Sequence, residues 1–380
     1  MRSKVLQIVK GFYPDKGGIE TYSYEIVKEL SKYYDIFVLV THSRFSGKEK
    51  IGKVKIIRIK KLFDFLHAPI NLPYFRLINR IKPDVIHLHI PNPLHEIYLL
   101  FYILLFGKKF KLIVTYHADI PHYTIFHRII EFFRRFYLVT LLKFFDVLIA
   151  TSKEYAYSSK ILKLFYKNVE VVHLGIESQP ITISPKKLKK KYRIKDEKIL
   201  LFVGRLFPYK GLEYLIEAVY FVSKKFENFK LFVVGSGEKE RELKNLSRKL
   251  GVSDKIVFAG AVDEKTRDSF YKLCDIFILP SVNRGEAFGI SLLEAMRFGK
   301  PLVTTKIPGS GVSFVNKHLV TGLVVEPRNS KALSEAILKL LKNDRLRLKL
   351  GKNSKKRFLN YFTKEKMIRS TIQIYKSLLS

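Results

Sequence analysis

The sequence predicts an α/β protein with two doubly wound parallel sheets, and three observations lead to this fold class. Short apolar runs of strand length, such as Val5–Val9 and Lys198–Val203, alternate with segments of helical period. Glycine-rich or polar loops separate them, as in βαβ units that build a parallel sheet. The alternation stops and restarts once, between about Gly175 and Lys198, in a Lys-dense stretch typical of a domain boundary.

The first half of the chain begins with a strand, the glycine loop Gly11–Gly18 and a helix over Ile19–Ser31. That helix keeps apolar residues at helical spacing, so one side should pack on the sheet. The predicted strands of this half are Val5–Val9, Ile36–Thr41, Val54–Ile59, Pro83–His89, Leu112–His117, Asp146–Thr151 and Val169–His173.

The second half repeats the pattern, with helices predicted over Gly211–Lys224, up to Leu250 after a Gly235–Gly237 loop, and over Ile290–Phe298. Its predicted strands are Lys198–Val203, Lys230–Val234, Ile256–Phe258, Asp275–Leu279, Leu302–Thr305 and Gly322–Val325. A chain of 380 residues is too long for one ordinary core and suits two domains. We predict domains at 1–175 and 198–363, with a linker at 176–197.

The net charge is +36, from 70 Lys and Arg against 34 Asp and Glu. Such a charge attracts polyanions in general, including nucleic acid, anionic lipid and nucleotide diphosphates, and a merely solvated Lys-rich surface is an equal alternative. Cys274 is the only cysteine, which favours a reducing cytoplasm. The longest apolar run, Ile97–Phe106, is about half of what spans a bilayer, so no transmembrane helix is expected.

The most informative stretch runs from Pro280 to Pro301. A buried strand precedes it, and a helix ended by Gly299 and Pro301 follows its loop. Glu286 lies in the loop, and Glu294 lies about one turn below the start of the helix. Backbone N–H groups after Gly289 suit a phosphate. The stretch therefore predicts a site for a molecule with hydroxyl groups at two places and an anion between them.

Four motifs in order resemble the retaining glycosyltransferases of family 4, which have the GT-B architecture. Glu286 and Glu294 match the E-x7-E signature, and Gly204–Gly211 matches G-R-L-x-x-x-K-G. Asp15–Glu20 resembles the N-terminal glycine loop of that family, and Thr115–Asp119 resembles its T-x-H-x-D segment. The resemblance covers most of the chain and implies two Rossmann-like domains facing across a cleft. It also implies that a final helix, about 364–380, crosses back onto the first domain.

The resemblance implies a role for each residue that matches a motif. Arg205 and Lys210 would bind the donor pyrophosphate, and Glu286 would meet sugar hydroxyls at the reacting end. His117 would contact the donor sugar and the acceptor near the bond that breaks, and Asp119 would orient His117 or touch the acceptor. Glu294 is the better candidate for the ribose hydroxyls, since a carboxylate accepts two hydrogen bonds. The remaining expected donor-binding residues are Gly17, Gly18, Gly237, Phe288, Gly289 and Ile290.

No metal or other cofactor is expected. The sequence has no D-x-D, no Cys/His ligand cluster and no H-E-x-x-H, so the two cations Arg205 and Lys210 are the expected stabilisers of the departing phosphate. The resemblance implies retention by attack on the same face of the sugar. The loop Pro308–Asn316 departs from the loop of many relatives and resembles that of a subset that transfers mannose or rhamnose, which favours GDP-mannose. UDP-sugars stay open.

The segment Ile125–Leu138, continued through Phe145, predicts an amphipathic helix. On a helical wheel Arg128, Glu131, Arg134, Arg135 and Lys143 share one side, and the apolar residues fill the other. Either the helix packs on the sheet with a wet basic face, or it binds anionic lipid at an interface. The second alternative would fit a lipid-linked acceptor and a protein at the cytoplasmic face of the membrane.

The function predicted is hexose transfer from a nucleotide diphosphate sugar to a glycan or lipid-linked acceptor, with no specific nucleic acid as partner. One alternative is another GT-B synthase that forms sugar phosphates or glucans. A second is a basic, non-catalytic binding protein that uses this scaffold on RNA or membrane.

Overall fold

The computed structural model describes residues 2–15, 18–43, 46–65, 68–70, 72–120, 125–179 and 184–380. By their internal contacts these residues form two units, Met1–Leu174 with Glu365–Ser380 and Gly175–Lys364. Each unit is built on a mainly parallel sheet with helices between most of its parallel strands, which confirms the predicted fold class.

The first unit contains one large sheet and one separate strand pair. Its strands are β1 Lys4–Val9, β2 Asp35–Ser43, β3 Gly47–Ile51, β4 Val54–Lys60, β5 Phe63–Phe65, β6 Ala68–Ile70, β7 Val85–Ile90, β8 Lys111–Tyr116, β9 Val147–Ala150 and β10 Val169–Val171. The large sheet has the order β10-β9-β8-β7-β1-β2-β4-β3, and β5 pairs with β6. All six residues of β7 are buried, as expected of a parallel strand covered on both faces.

The edge strand β3 differs from the predicted all-parallel sheet. It pairs antiparallel with β4 from Gly47↔Arg58 to Ile51↔Val54. The reason is local: Gly52 takes a positive φ of 58° and, with Lys53, forms the two-residue connection of a β-hairpin.

The helices of the first unit are α1 Gly18–Leu30, α2 Phe75–Ile81, α3 Pro93–Phe106, α4 Ile125–Leu142 and α5 Lys153–Ser158, with a 3₁₀ segment at Leu162–Asn168. The buried side of α1 carries Tyr22, Ile26, Val27 and Leu30, which confirms the predicted helical spacing. In the described ranges of the chain, no helix combines the length and the apolar character that a membrane crossing needs.

Helix α4 does not present the faces that its helical wheel predicts. Arg134 is fully buried, with its Nε 2.7 Å from Glu96 Oε2 of α3 and its Nη1 3.1 Å from Glu131. Phe132 and Phe133 are instead exposed. An arginine whose charge is matched by two carboxylates can be buried, and this turns neighbouring apolar side chains outward.

The second unit has a wholly parallel sheet among its named strands. They are β11 Lys198–Val203, β12 Phe229–Val234, β13 Ile256–Gly260, β14 Ile276–Leu279, β15 Leu302–Thr305 and β16 Gly322–Val325, in the sheet order β13-β12-β11-β14-β15-β16. The order reverses direction between β11 and β14. Loops at the carboxyl ends of strands beside such a reversal form the usual ligand site of open α/β sheets.

The helices of this unit are α6 Lys186–Lys191, α7 Leu212–Ser223, α8 Glu240–Lys249, α9 Glu264–Leu273, α10 Ile290–Arg297, α11 Val312–Val315, α12 Ser330–Leu341 and α13 Asp344–Tyr361, with 3₁₀ turns at Pro208–Lys210 and Ser253–Lys255. Within the segment predicted as a linker, residues 184–197 include α6, and the second unit starts at Gly175.

The last helix, α14 Lys364–Leu379, ends the chain in the first unit. Its buried side carries Met367, Ile368, Thr371 and Tyr375. Tyr375 lies among the central strands of the first sheet, because its Oη accepts a hydrogen bond from Gln7 Nε2 at 2.8 Å.

Candidate active site

The loop after β11 carries two of the predicted cations, Arg205 and Lys210. Lys210 ends the 3₁₀ turn Pro208–Lys210 and is buried, whereas Arg205 is exposed and stacks over the Phe207 ring at 4.8 Å. Val282 N donates a hydrogen bond to Tyr209 O at 2.8 Å. The loop after β11 is therefore hydrogen-bonded to the loop after β14, at the point where the strand order of the sheet reverses.

Lys210 and Glu286 form a buried ion pair. Lys210 Nζ lies 2.5 Å from Glu286 Oε2, and only 10% of each side chain is exposed. Ser281 Oγ donates to the same carboxylate oxygen at 3.0 Å. Burial by itself lowers the pKa of Lys210. The electrostatic interactions with Glu286 and Tyr209 and the hydrogen bond to Glu286 outweigh burial and raise that pKa above its usual value. The site thus holds a cation that stays charged at neutral pH.

The loop that carries Glu286 is fixed by the following loop. Ser310 Oγ donates to the backbone carbonyl of Glu286, and Gly311 N donates to Ala287 O at 2.8 Å. Phe288 is buried and packs edge-on against Phe362, with ring centroids 6.0 Å apart. The Pro308–Asn316 loop therefore supports the Glu286 loop directly.

Helix α10 begins immediately after Gly289, whose φ of 85° lies in the left-handed region that favours glycine. Ile290 is the first residue of the helix, and Glu294 lies one turn further. The predicted positions of these residues on a loop and a helix start are confirmed by the secondary structure.

Glu294 is already held by two partners on α9. Tyr271 Oη donates to Glu294 Oε2 at 2.7 Å, and Arg267 Nη2 lies 3.1 Å from Oε1. Burial raises the pKa of Glu294, and the two partners oppose part of that shift. Each carboxylate oxygen has a second lone pair, so the capacity to accept hydroxyl groups remains.

Gly237 has a structural reason to be glycine. A Cβ at this position would lie 2.6 Å from Leu206 O, and Leu206 N donates to Ser236 O at 2.9 Å. The loops after β11 and β12 approach each other backbone to backbone, so this glycine is explained by packing.

In the first unit, His117 follows β8 and is buried. Its Nε2 lies 3.0 Å from His89 Nδ1, and the two rings stack with centroids 5.3 Å apart. The Tyr22 ring meets His117 edge-on at 5.0 Å. Burial lowers the pKa of His117 to about 3, so the imidazole is neutral at physiological pH.

Asp119 is tied to three hydroxyl groups of the first unit. Its Oδ1 accepts from Tyr116 Oη at 2.6 Å and from Ser159 Oγ at 2.9 Å. Its backbone N donates to Tyr155 Oη at 2.5 Å. The carboxylate is thus held beside the end of β8.

The glycine loop is described only in part. Gly18 is the exposed first residue of α1, whereas Gly17 lies outside the described residues.

Several residues of these sites have no motif that would reveal them. Ser281 and Ser310 fix Glu286, and Tyr271 with Arg267 fixes Glu294. Ser281 follows β14 almost directly, and this position at a strand end is the one sequence signal that singles it out.

The second unit therefore gathers at one end of its sheet a buried ammonium, an exposed guanidinium and two carboxylates. Fixed cations beside strand ends stabilise anionic groups. Carboxylates bind hydroxyl groups. The arrangement suits a ligand that combines phosphates with sugars.

Comparisons with known protein families agree with this chemistry. Residues 16–179 match the model described as Glycosyltransferase Family 4, and residues 184–357 match that described as Glycosyl transferases group 1.

Curated relatives and a solved structure point the same way. The chain is 30% identical over 387 residues to the O-antigen chain mannosyltransferase C of Escherichia coli, covering 99% of each chain. It is 30% identical over 283 residues to a D-rhamnosyltransferase of Pseudomonas aeruginosa, covering 74% of this chain and 70% of that one. The crystal structure of Anabaena HepE in complex with UDP superposes with a TM-score of 0.77 at 18% identity, covering 99% of this chain and 100% of the other, and this shows a shared fold.

Proposed function

The chain belongs to glycosyltransferase family 4, and on that premise we propose that it transfers a hexose with retention of anomeric configuration and without a metal ion. The donor is a nucleotide diphosphate sugar, and the acceptor is a glycan or a lipid-linked sugar. The observation that carries this proposal is the buried pair of Lys210 and Glu286, 2.5 Å apart, where the strand order of the second sheet reverses.

In the proposed reaction the bond between C1 of the hexose and the diphosphate oxygen breaks, and its electron pair leaves with the phosphate. The acceptor hydroxyl oxygen bonds to C1 on the same face, and its proton passes to the departing phosphate oxygen. Arg205 and Lys210 stabilise the charge that develops on this phosphate, in the place of a divalent cation. The first N–H groups of α10, after Gly289, add hydrogen-bond donors for the same anion.

The other predicted residues bind the two sugars of the donor. Glu286 accepts hydrogen bonds from hydroxyls of the transferred hexose, and Glu294 accepts them from the ribose. His117, being neutral, contacts the hexose or the acceptor without serving as an acid. Gly17 and Gly18 stay predicted donor-binding residues, because glycine has no Cβ that would hinder the approach of a phosphate.

Mannose from GDP-mannose is the proposed substrate. A mannosyltransferase is among the relatives that match nearly the whole of this chain, and the Pro308–Asn316 loop supports the Glu286 loop in the second unit. UDP-sugars are the competing donors, since HepE of the same fold binds UDP.

A thermal-shift panel of GDP-, UDP- and ADP-sugars in EDTA tests donor binding without needing an acceptor. We expect GDP-mannose to raise the melting temperature most, because a ligand that binds the folded protein and not the unfolded chain stabilises the folded state.

NMR of the product from the best donor should then show that the anomeric configuration of the donor is retained. An inverted anomer, or turnover that EDTA abolishes, would contradict the mechanism. No shift with any nucleotide sugar would favour the non-catalytic binding protein.

The acceptor is proposed to lie at an anionic membrane surface, which the first unit contacts through α3 and α4. These helices adjoin, since Tyr137 Oη donates to Pro93 O and Arg134 pairs with Glu96. Their outward stripes, each side chain between 49% and 67% exposed, consist of Phe101, Leu104, Leu105, Ile129, Phe132, Phe133 and Phe136. At about 200 Å² per large side chain, the exposed apolar area is on the order of 800 Å². A typical monomer exposes a largest patch of roughly 300–600 Å².

The charges around these stripes favour anionic lipid over a second protein chain. The acidic residues of the two helices, Glu96 and Glu131, are both paired with Arg134. Arg135 and Lys143 are exposed beside the stripes. An apolar surface bordered by cations, in a chain of net charge +36, is the pattern of interfacial binding.

The membrane proposal predicts that the full chain co-sediments with phosphatidylglycerol vesicles, less so at high salt, and not with phosphatidylcholine vesicles. The double substitution Phe132→Ser/Phe133→Ser should weaken vesicle binding by at least about tenfold, because two exposed rings no longer bury apolar surface in the lipid. The matched control is Leu348→Ser, which changes a similarly exposed apolar side chain on α13 of the second unit. Equal binding to both lipids would contradict the membrane proposal. A dimer seen by light scattering and formed through these stripes would contradict it as well.

A further inference from the structure

A continuous chain of hydrogen bonds runs through the core of the first unit and ends at His117. Its members lie on β1, β7, β8 and α14 and, for His117, directly after β8, and all are buried. The links are His117 Nε2 to His89 Nδ1 at 3.0 Å, His89 Nε2 to Gln7 Oε1 at 2.7 Å, Gln7 Nε2 to Tyr375 Oη at 2.8 Å, Tyr375 Oη to His87 Nδ1 at 2.8 Å and His87 Nε2 to Thr115 Oγ1 at 2.6 Å.

The amide of Gln7 decides which group donates in each hydrogen bond between Gln7 and His117. Gln7 Oε1 can only accept, so His89 Nε2 must carry the proton. A neutral imidazole has one N–H group, and His89 Nδ1 is therefore an acceptor. It follows that His117 Nε2 is the donor to His89, which leaves His117 Nδ1 as a hydrogen-bond acceptor.

The remaining hydrogen bonds, from Gln7 to Thr115, run in a consistent donor-to-acceptor direction. Gln7 Nε2 donates to Tyr375, the Tyr375 hydroxyl donates to His87 Nδ1, and His87 Nε2–H donates to Thr115. No link in the set brings two donors together. Burial lowers the pKa of His87 to about 3 and that of His89 well below its usual value, so both rings are neutral, as the single direction requires.

We infer that Gln7, His89 and Tyr375 are positioning residues that hold His117 as the Nε2–H tautomer and so make its Nδ1 the acceptor for a sugar or acceptor hydroxyl. This inference rests on the proposed function, in which His117 contacts the hexose or the acceptor. It gives the last helix of the chain a part in the site, because Tyr375 is the link between Gln7 and His87.

The direct test is the tautomer of His117 in the full chain labelled with ¹⁵N-histidine, assigned by comparison with the His117→Gln variant. The proton is expected on Nε2, with Nδ1 bare. A proton on Nδ1 would overturn the inference. This measurement needs no substrate, so it is independent of whether the proposed transfer is found.

The functional test is Tyr375→Phe, which removes the hydroxyl that joins Gln7 to His87. We expect kcat to fall about tenfold and His117 to populate both tautomers, with the donor-induced thermal shift unchanged. The matched control is Tyr102→Phe. It removes the hydroxyl of another buried tyrosine, which donates to Asn79 Oδ1 and does not take part in these hydrogen bonds.

The control and the spectrum separate positioning from a general effect on folding. An equal loss of kcat in both variants, or a Tyr375→Phe protein with an unchanged tautomer and unchanged kcat, would overturn the inference. If the wild-type protein turned over no donor, the proposed function would fail, while the tautomer would still be measurable.

Discussion

Replacing Lys210 with alanine is expected to lower kcat by about 10²–10³, equivalent to about 3–4 kcal/mol of lost transition-state stabilisation. Lys210 is a buried cation whose pKa is raised by Glu286, so it is charged before any donor arrives. A charge fixed in advance costs no reorganisation when the phosphate leaves. The measurement is steady-state kinetics with the donor that the thermal-shift panel identifies.

The control for Lys210 is Lys244→Ala, which breaks a Lys–Glu pair of similar length, 2.6 Å, on the exposed side of α8. It should leave kcat within about twofold, because exposed pairs contribute about 0–1 kcal/mol. A Lys210→Met/Glu286→Gln double variant avoids leaving Glu286 as an unpaired buried charge, and it should fold but stay inactive. Full activity of Lys210→Ala would contradict its role at the phosphate.

Replacing Arg134 with methionine should lower the unfolding free energy of the first unit by about 3–5 kcal/mol, because the buried carboxylate of Glu96 loses its charge partner. Arg134 and Glu96 are both fully buried, and Glu96 loses its only guanidinium partner among the described contacts. Because a chain of two units need not unfold in one step, the loss is best measured by hydrogen exchange of the β7 and β8 amides.

A double variant, Arg134→Met with Glu96→Met, should recover most of that loss, because apolar side chains replace a buried ion pair at little net cost. Lys32→Met serves as the surface control, since Lys32 pairs with Glu29 where its side chain is 61% exposed. Its effect should stay within about 0.5 kcal/mol. A single Arg134 variant as stable as the surface control would show that the pair is not buried as described.

The central strands of both sheets were predictable because a parallel strand covered on both faces is a short, continuous apolar run. In the second sheet, Lys198–Val203 and Leu302–Thr305 were predicted at the bounds that the structure gives; in the first sheet, Val5–Val9 was predicted one residue short of β1. Edge strand β3 was not, since Gly47–Ile51 is half exposed and rich in charge. Strands of that kind are set by a turn and by pairing, and neither appears in an apolar pattern.

The orientation of α4 could not be predicted from its own residues. Helical period shows that polar and apolar side chains lie on different sides, but not which side meets the core. Here Glu96, 38 positions before Arg134, decides that an arginine is buried and that Phe132 and Phe133 face outward. A charge pair between two helices overrides the hydrophobic pattern within one of them.

The site residues were predictable one at a time, through motifs, but their contacts were not. Lys210 and Glu286 lie 76 positions apart, and only the reversal of strand order brings their loops together. Ser281 and Tyr375 belong to no motif, and each acts by holding another side chain. Such positioning is a property of the packed fold.

The most direct measurement is a crystal structure of the full chain with GDP-mannose, or the best donor of the panel, grown in EDTA. The diphosphate should lie within hydrogen-bond distance of Lys210 and Arg205, at the start of α10, with the ribose hydroxyls on Glu294. A diphosphate bound away from Lys210 and Arg205, or one that binds only when a divalent cation bridges it to the protein, would contradict the proposed chemistry.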